Sequence, residues 1–115
     1  MPDLKLTADT VMNELTTGAL LITNDMFKRR REEAQLEINK FLTESEADFK
    51  KWTKAVETGK MKESDLEFLM KTKKDGFECL TLVNIGVGKI RLNRYRNRLF
   101  LFAFQTVLKA ALPVV

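Results

Sequence analysis

Apolar positions recur at helical intervals through the first half of the chain, where Ile38, Phe41, Phe49, Trp52 and Val56 fall on one face. From Asp9 to about Glu57 there is no proline and a single glycine, Gly18, so the pattern predicts a helical arm over about residues 8–57. Thr7 and Asp9 are its candidate caps, and Thr58-Gly59 its end, because glycine readily takes the left-handed conformation that closes a helix. Two places inside the arm invite a break. Thr23-Asn24-Asp25 are weak interior helix formers, and a kink or break is expected near Asn24. Thr43-Glu44-Ser45-Glu46 spells a capping box, but a continuous helix is preferred there because packing overrides propensity.

After a turn over about 58–63, Ser64 is the expected N-cap of a second arm over about 64–112, with Glu67 three residues on. Leu66, Leu69, Met70, Phe77, Leu80, Val83 and Val87 continue a helical stripe, and Pro113 is the expected stop. Gly76, Gly86 and Gly88 are its weak points, each costing about 1 kcal/mol relative to alanine inside a helix. Alternation at Leu80/Leu82 and Ile90/Leu92 leaves open a short β-hairpin of residues 78–84 and 89–93. Helix is preferred because both flanks are helical and an isolated hairpin is marginal.

These elements define an all-α fold. It is either a long antiparallel helical hairpin or, with breaks near Asn24 and Gly86, an elongated three- or four-helix bundle. Unbroken arms of about 49 residues would each run roughly 70 Å. Two such rods have little core for their surface, so that version requires coiled-coil-like partners.

Composition narrows the class. The chain has 115 residues, 44% apolar and 31% charged, with two prolines and five glycines, as expected of one ordered helical domain spanning 1–115. The lone Cys79 cannot form an internal disulfide, which fits a reducing, cytoplasmic setting. The first residues, Met1-Pro2-Asp3-Leu4-Lys5-Leu6, lack the basic and apolar blocks of a secretory leader. Leu99 to Leu108, the longest charge-free stretch near the end, is ten residues, whereas a membrane span takes about 20, so no transmembrane segment is expected.

Candidate chemistry is sparse. There is no histidine, which removes the commonest general base and the usual zinc and di-iron ligand sets. Cys79 sits in an apolar run without an imidazole partner and reads as a small buried hydrophobe. Glu32, Glu33 and Glu37 cluster on a helix, but Arg29 and Arg30 lie close enough to pair with them, and no second carboxylate motif completes a metal site. Gly86-Val87-Gly88-Lys89 resembles the end of a phosphate-binding loop, yet Val83 and Ile90 stand where that motif needs Gly and Ser or Thr, so the glycines read as close helix packing or a bend. A non-enzymatic protein without cofactor or metal is expected.

Two surfaces remain. Lys28, Arg29, Arg30 and Arg31 form a basic run, and Arg91, Arg94 and Arg98 project within about 60° of one another on a helix. Folding back about residue 60 makes neighbours of the clusters 28–31 and 89–98, a candidate polyanion surface on which the Tyr95 ring could stack a base. Against this, the excess of twenty Lys and Arg over sixteen Asp and Glu is mild, and arginines also serve interfaces. The second surface is the apolar carboxy-terminal segment, where Leu99, Phe100, Phe102, Phe104 and Leu108 occupy nearly all sides of a helix, opposite Leu15, Leu20, Leu21 and Ile22. More apolar face than one chain can cover predicts self-association or docking of a protein partner, the preferred reading, with nucleic-acid binding as the alternative.

Overall fold

The computed structural model describes residue 7 and residues 9–112. The expected stop at Pro113 and the first six residues lie outside these. Helices α1 (Val11–Met26), α2 (Arg31–Glu57), α3 (Glu63–Gly76), α4 (Leu80–Asn84) and α5 (Lys89–Ala111) follow in order, and among the described residues there are no strands. The fold is an all-α bundle of four main helices, with α4 a single turn. Its dimensions, 44 × 35 × 20 Å, replace the roughly 70 Å rods of an unbroken hairpin.

The breaks follow from what the core demands. Helix α1 runs past Asn24, whose side-chain oxygen accepts a 2.7 Å bond from Gln35 across the turn, and ends instead at Phe27. The Phe27 side chain is wholly buried, while Lys28, Arg29 and Arg30 are exposed, so the turn sends its ring inward and its cations outward. Helix α2 passes unbroken through Thr43–Glu46, with Ser45 buried. At its end Gly59 has φ 78°, and the amides of Gly59 and Lys60 donate to the carbonyls of Val56 (3.2 Å) and Ala55 (2.8 Å), a paired closure that requires a left-handed residue. Gly86, φ 93°, closes α4 in the same way, with Gly86 and Val87 donating to Val83 and Leu82.

Three boundaries depart from the sequence expectation. The first helix starts at Val11, after Thr10, and not directly after Thr7 or Asp9. The N-cap of α3 is Lys62, two residues before the expected Ser64, because the Asp65 carboxylate accepts the Lys62 amide at 3.1 Å. A further break falls at Phe77-Glu78-Cys79. Phe77 and Cys79 are both buried, and residues two apart on a helix point to nearly opposite sides, so the helix opens to place both inside. The preferred helical reading holds over the alternative hairpin for residues 80–84 and 89–93: Leu82 is buried in α4, and Leu92 lies in the buried face of α5.

Helix α1 packs on α2 and α5, α2 packs on α5, and α3 lies mainly against α5. Lys73 of α3 pairs with Asp48 of α2 at 2.7 Å, and Lys74 donates to Asn97 of α5 at 3.0 Å. An aromatic chain fills the centre, with Phe27 edge-on to Tyr95 at 4.8 Å and Phe77 packed on Phe41 at 4.6 Å. The crevice beside it holds only about 40 Å³.

Candidate functional site

The fold gathers the two basic clusters at one end of the molecule. Antiparallel packing of α1 on α5 sets Asp25 against Arg98, at 2.8 Å, and Gly18 against Phe102. In the turn above, the Arg91 guanidinium lies 4.9 Å from the Phe27 ring centre and donates to the Met26 carbonyl at the end of α1. Lys28, Arg29, Arg30 and Arg91, with Asp25 and Met26, line an open cleft of about 520 Å³. Bringing residues 28–31 beside 91–98 is what the fold-back about residue 60 implied.

The basic side chains divide into two sets. Arg91 and Arg98 have structural partners, and so does Arg96, which donates to the Phe77 carbonyl (3.3 Å) and to Asn93 (2.5 Å). The Arg98 guanidinium holds the Asp25 carboxyl below its ordinary value. Arg30 lies 3.9 Å from Glu33. Arg29, Arg31, Lys89 and Arg94 are exposed, with no hydrogen-bond, ion-pair or ring partner among the described residues, and Lys28, also exposed, has the Asp25 carboxylate as its electrostatic neighbour. Tyr95 is not available to stack on a base. It is fully buried, and its hydroxyl lies 2.6 Å from the Thr23 hydroxyl.

At the other half of α5 the structure sorts the apolar residues that the sequence grouped. Leu15 and Leu99 belong to the core, and Leu20, Ile22, Phe100, Phe102, Phe104 and Leu108 pack partly against it. Leu21 does not cover α5; it is 66% exposed. What stays outside is narrower than an all-round apolar helix. Leu101 (55% exposed) and Leu112 (52%) lie on one outer stripe with Phe104 and Leu108, in steps of three, four and four residues. Beside it runs an open groove lined by Phe102, Leu108 and Leu112 together with Glu14 and Lys109. Neither Leu101 nor Leu112 is among the interface candidates read from the sequence. The signal was their spacing, hidden in a segment where almost every residue is apolar.

The remaining candidates have local roles. Glu37 accepts the Thr81 amide at 3.0 Å, fixing the start of α4 on α2. Cys79 is buried, and burial pushes its thiol up from 9.0 to about 12. Gly86 closes α4, and Gly88 precedes the first residue of α5 in extended conformation, so neither forms a phosphate loop. Among the described residues no three His, Cys, Asp or Glu side chains gather as a metal site would need, and no helix is long and apolar enough to cross a membrane. Compared with known proteins, the chain matches no family model, no curated protein and no solved structure.

Proposed function

We propose that the protein is a non-enzymatic helical interaction module that pairs with a second copy of itself through the outer face of α5. The observation that carries this is the row of exposed Leu101, half-buried Phe104 and Leu108 and, just past the end of α5, exposed Leu112, along the edge of a helix whose opposite side already fills the core. A helix needs one apolar stripe to dock on its own bundle; a second stripe at helical spacing suits a second helix. The adjoining groove favours a second copy, since its lining includes one acid, Glu14, and one base, Lys109. Two copies related by a two-fold axis can set Glu14 of each opposite Lys109 of the other, which makes the surface self-complementary.

The stripe spans about 16 Å of helix, shorter than the ~800 Å² per partner of a standard interface would occupy, so the pairing is a reversible one. Light scattering across the micromolar to submillimolar range should show the mass rising from one copy towards two. Leu101→Glu, on an exposed position, should hold the protein at one copy with its helical circular-dichroism signal intact. A single-copy mass throughout that range overturns the reading.

A further inference from the structure

All seven arginines of the chain, Arg29, Arg30, Arg31, Arg91, Arg94, Arg96 and Arg98, lie in two segments that meet at one end of the bundle, while every other cation is a lysine. Segments 25–33 and 89–98 hold nine of the twenty cations and three of the sixteen carboxylates, a net +6 in a chain of net +4, so the rest of the molecule is net acidic. Holding the fold together accounts for Arg91, Arg96 and Arg98. It does not account for Arg29, which lines the open cleft with Lys28, Arg30 and Arg91, nor for Arg31, Lys89 and Arg94, exposed in the same two segments, where like charges are gathered at a cost in self-repulsion.

We infer that this end binds the phosphate backbone of double-stranded nucleic acid, independently of base sequence. Guanidinium groups match phosphate oxygens in paired geometry, and a polymer of closely spaced phosphates releases counterions when several cations engage it together. The uncommitted groups are spread over the turn after α1, the start of α2 and two separate positions of α5, Lys89 at its first residue and Arg94 on the side shared with Arg91 and Arg98, which suits an extended anion better than a single small one. The two aromatic rings within the patch, Phe27 and Tyr95, are both buried, so the base stacking that single strands require has no platform there. Ile90 is the one large apolar side chain of these two segments that stands well exposed, too little to anchor a bilayer by insertion.

The test is fluorescence anisotropy with a labelled duplex of mixed sequence, titrated at about 50 mM and about 200 mM salt. The wild-type chain should bind at the lower salt, with affinity falling on a log–log slope of about −0.9 per phosphate contacted. Arg29→Gln, Arg31→Gln and Arg94→Gln combined, at positions without structural partners, should weaken binding at least tenfold and flatten the slope by about 2 to 3. A control removing the same charge from exposed lysines elsewhere, Lys51→Gln, Lys54→Gln and Lys60→Gln, should stay within about twofold, since affinity resides in the patch and not in net charge. Circular dichroism identifies any variant that has unfolded, and Arg94→Gln alone, which should still weaken binding measurably, replaces a triple variant that fails to fold. The inference is overturned by no binding at the lower salt, by an equal loss in the lysine control, or by capture on phosphatidylserine vesicles that excess duplex does not compete away.

Discussion

Thr23 and Tyr95 join α1 to α5 by a buried contact whose donor can be assigned from proton count. The Thr23 hydroxyl has one proton and donates it to the Ala19 carbonyl at 2.7 Å, so the 2.6 Å bond to Tyr95 is donated by the phenol. Thr23→Val leaves that phenol without an acceptor and should cost about 1–3 kcal/mol, whereas Tyr95→Phe should cost about 1 kcal/mol. The double variant should cost less than the sum by about 1 kcal/mol, readable from urea midpoints; strict additivity would show that the bond contributes nothing. Buried acids also set an alkaline limit. The unfolded Cys79 thiol loses its proton from about pH 9 while the folded one keeps it to about 12, so the folded state holds more protons in that window. Stability is therefore fully present below pH 9 and falls as pH rises through the window, by at most about 1.4 kcal/mol per pH unit from this group. Tyr95, also pushed up by burial, adds the same sign above its ordinary 10. Urea titrations at stepped pH should show the fall, and Cys79→Ala should flatten its first part. In the native state iodoacetamide should modify Cys79 far more slowly than in urea.

At the scale of elements, the α1–α5 seam depends on a glycine whose purpose the sequence did not reveal. A Cβ on Gly18 would stand 1.9 Å from the Phe102 ring tip, so the ring occupies the space a side chain would fill. Gly18→Ala gains about 1 kcal/mol of helix propensity but expels the ring, for a net loss of about 1–2 kcal/mol. With Phe102→Leu the obstruction is gone, and the same substitution should become stabilising; a loss in both backgrounds would mean that the ring is not what Gly18 accommodates. Local signals of this kind were partly legible. Gly59 and the bend at Gly86 were readable because left-handed glycine closures depend on a few adjacent residues. The turn at 27–30 was placed only approximately, since it is fixed by Phe27 reaching Tyr95, a partner 68 positions along the chain. The opening at Phe77–Cys79 was illegible for the same reason: nothing near it announces that both side chains must be buried.

For the whole molecule, α5 is about 34 Å long and carries a different surface on each half, basic over residues 89–98 and apolar from Leu101 onward. The sequence displayed both halves, and it brought the basic clusters together once a fold-back was assumed. It could not say which apolar residues would stay outside, because that depends on where α1 and α3 lie on α5. Those positions put Leu99 inside and leave Leu101 out. The resulting solution behaviour is specific. A dilute single copy should scatter with a radius of gyration near the 14.5 Å of the folded chain, not far above the about 13 Å typical of a compact chain of this length. Two 70 Å rods would give a distinctly larger value and a longer maximum dimension at the same mass. If α5 is the pairing surface, concentrating the wild-type protein should raise mass and radius together, while Leu101→Glu keeps both at their dilute values. Should the radius grow at constant mass, the bundle itself would be opening, and the compact packing of α1 and α3 on α5 would be wrong.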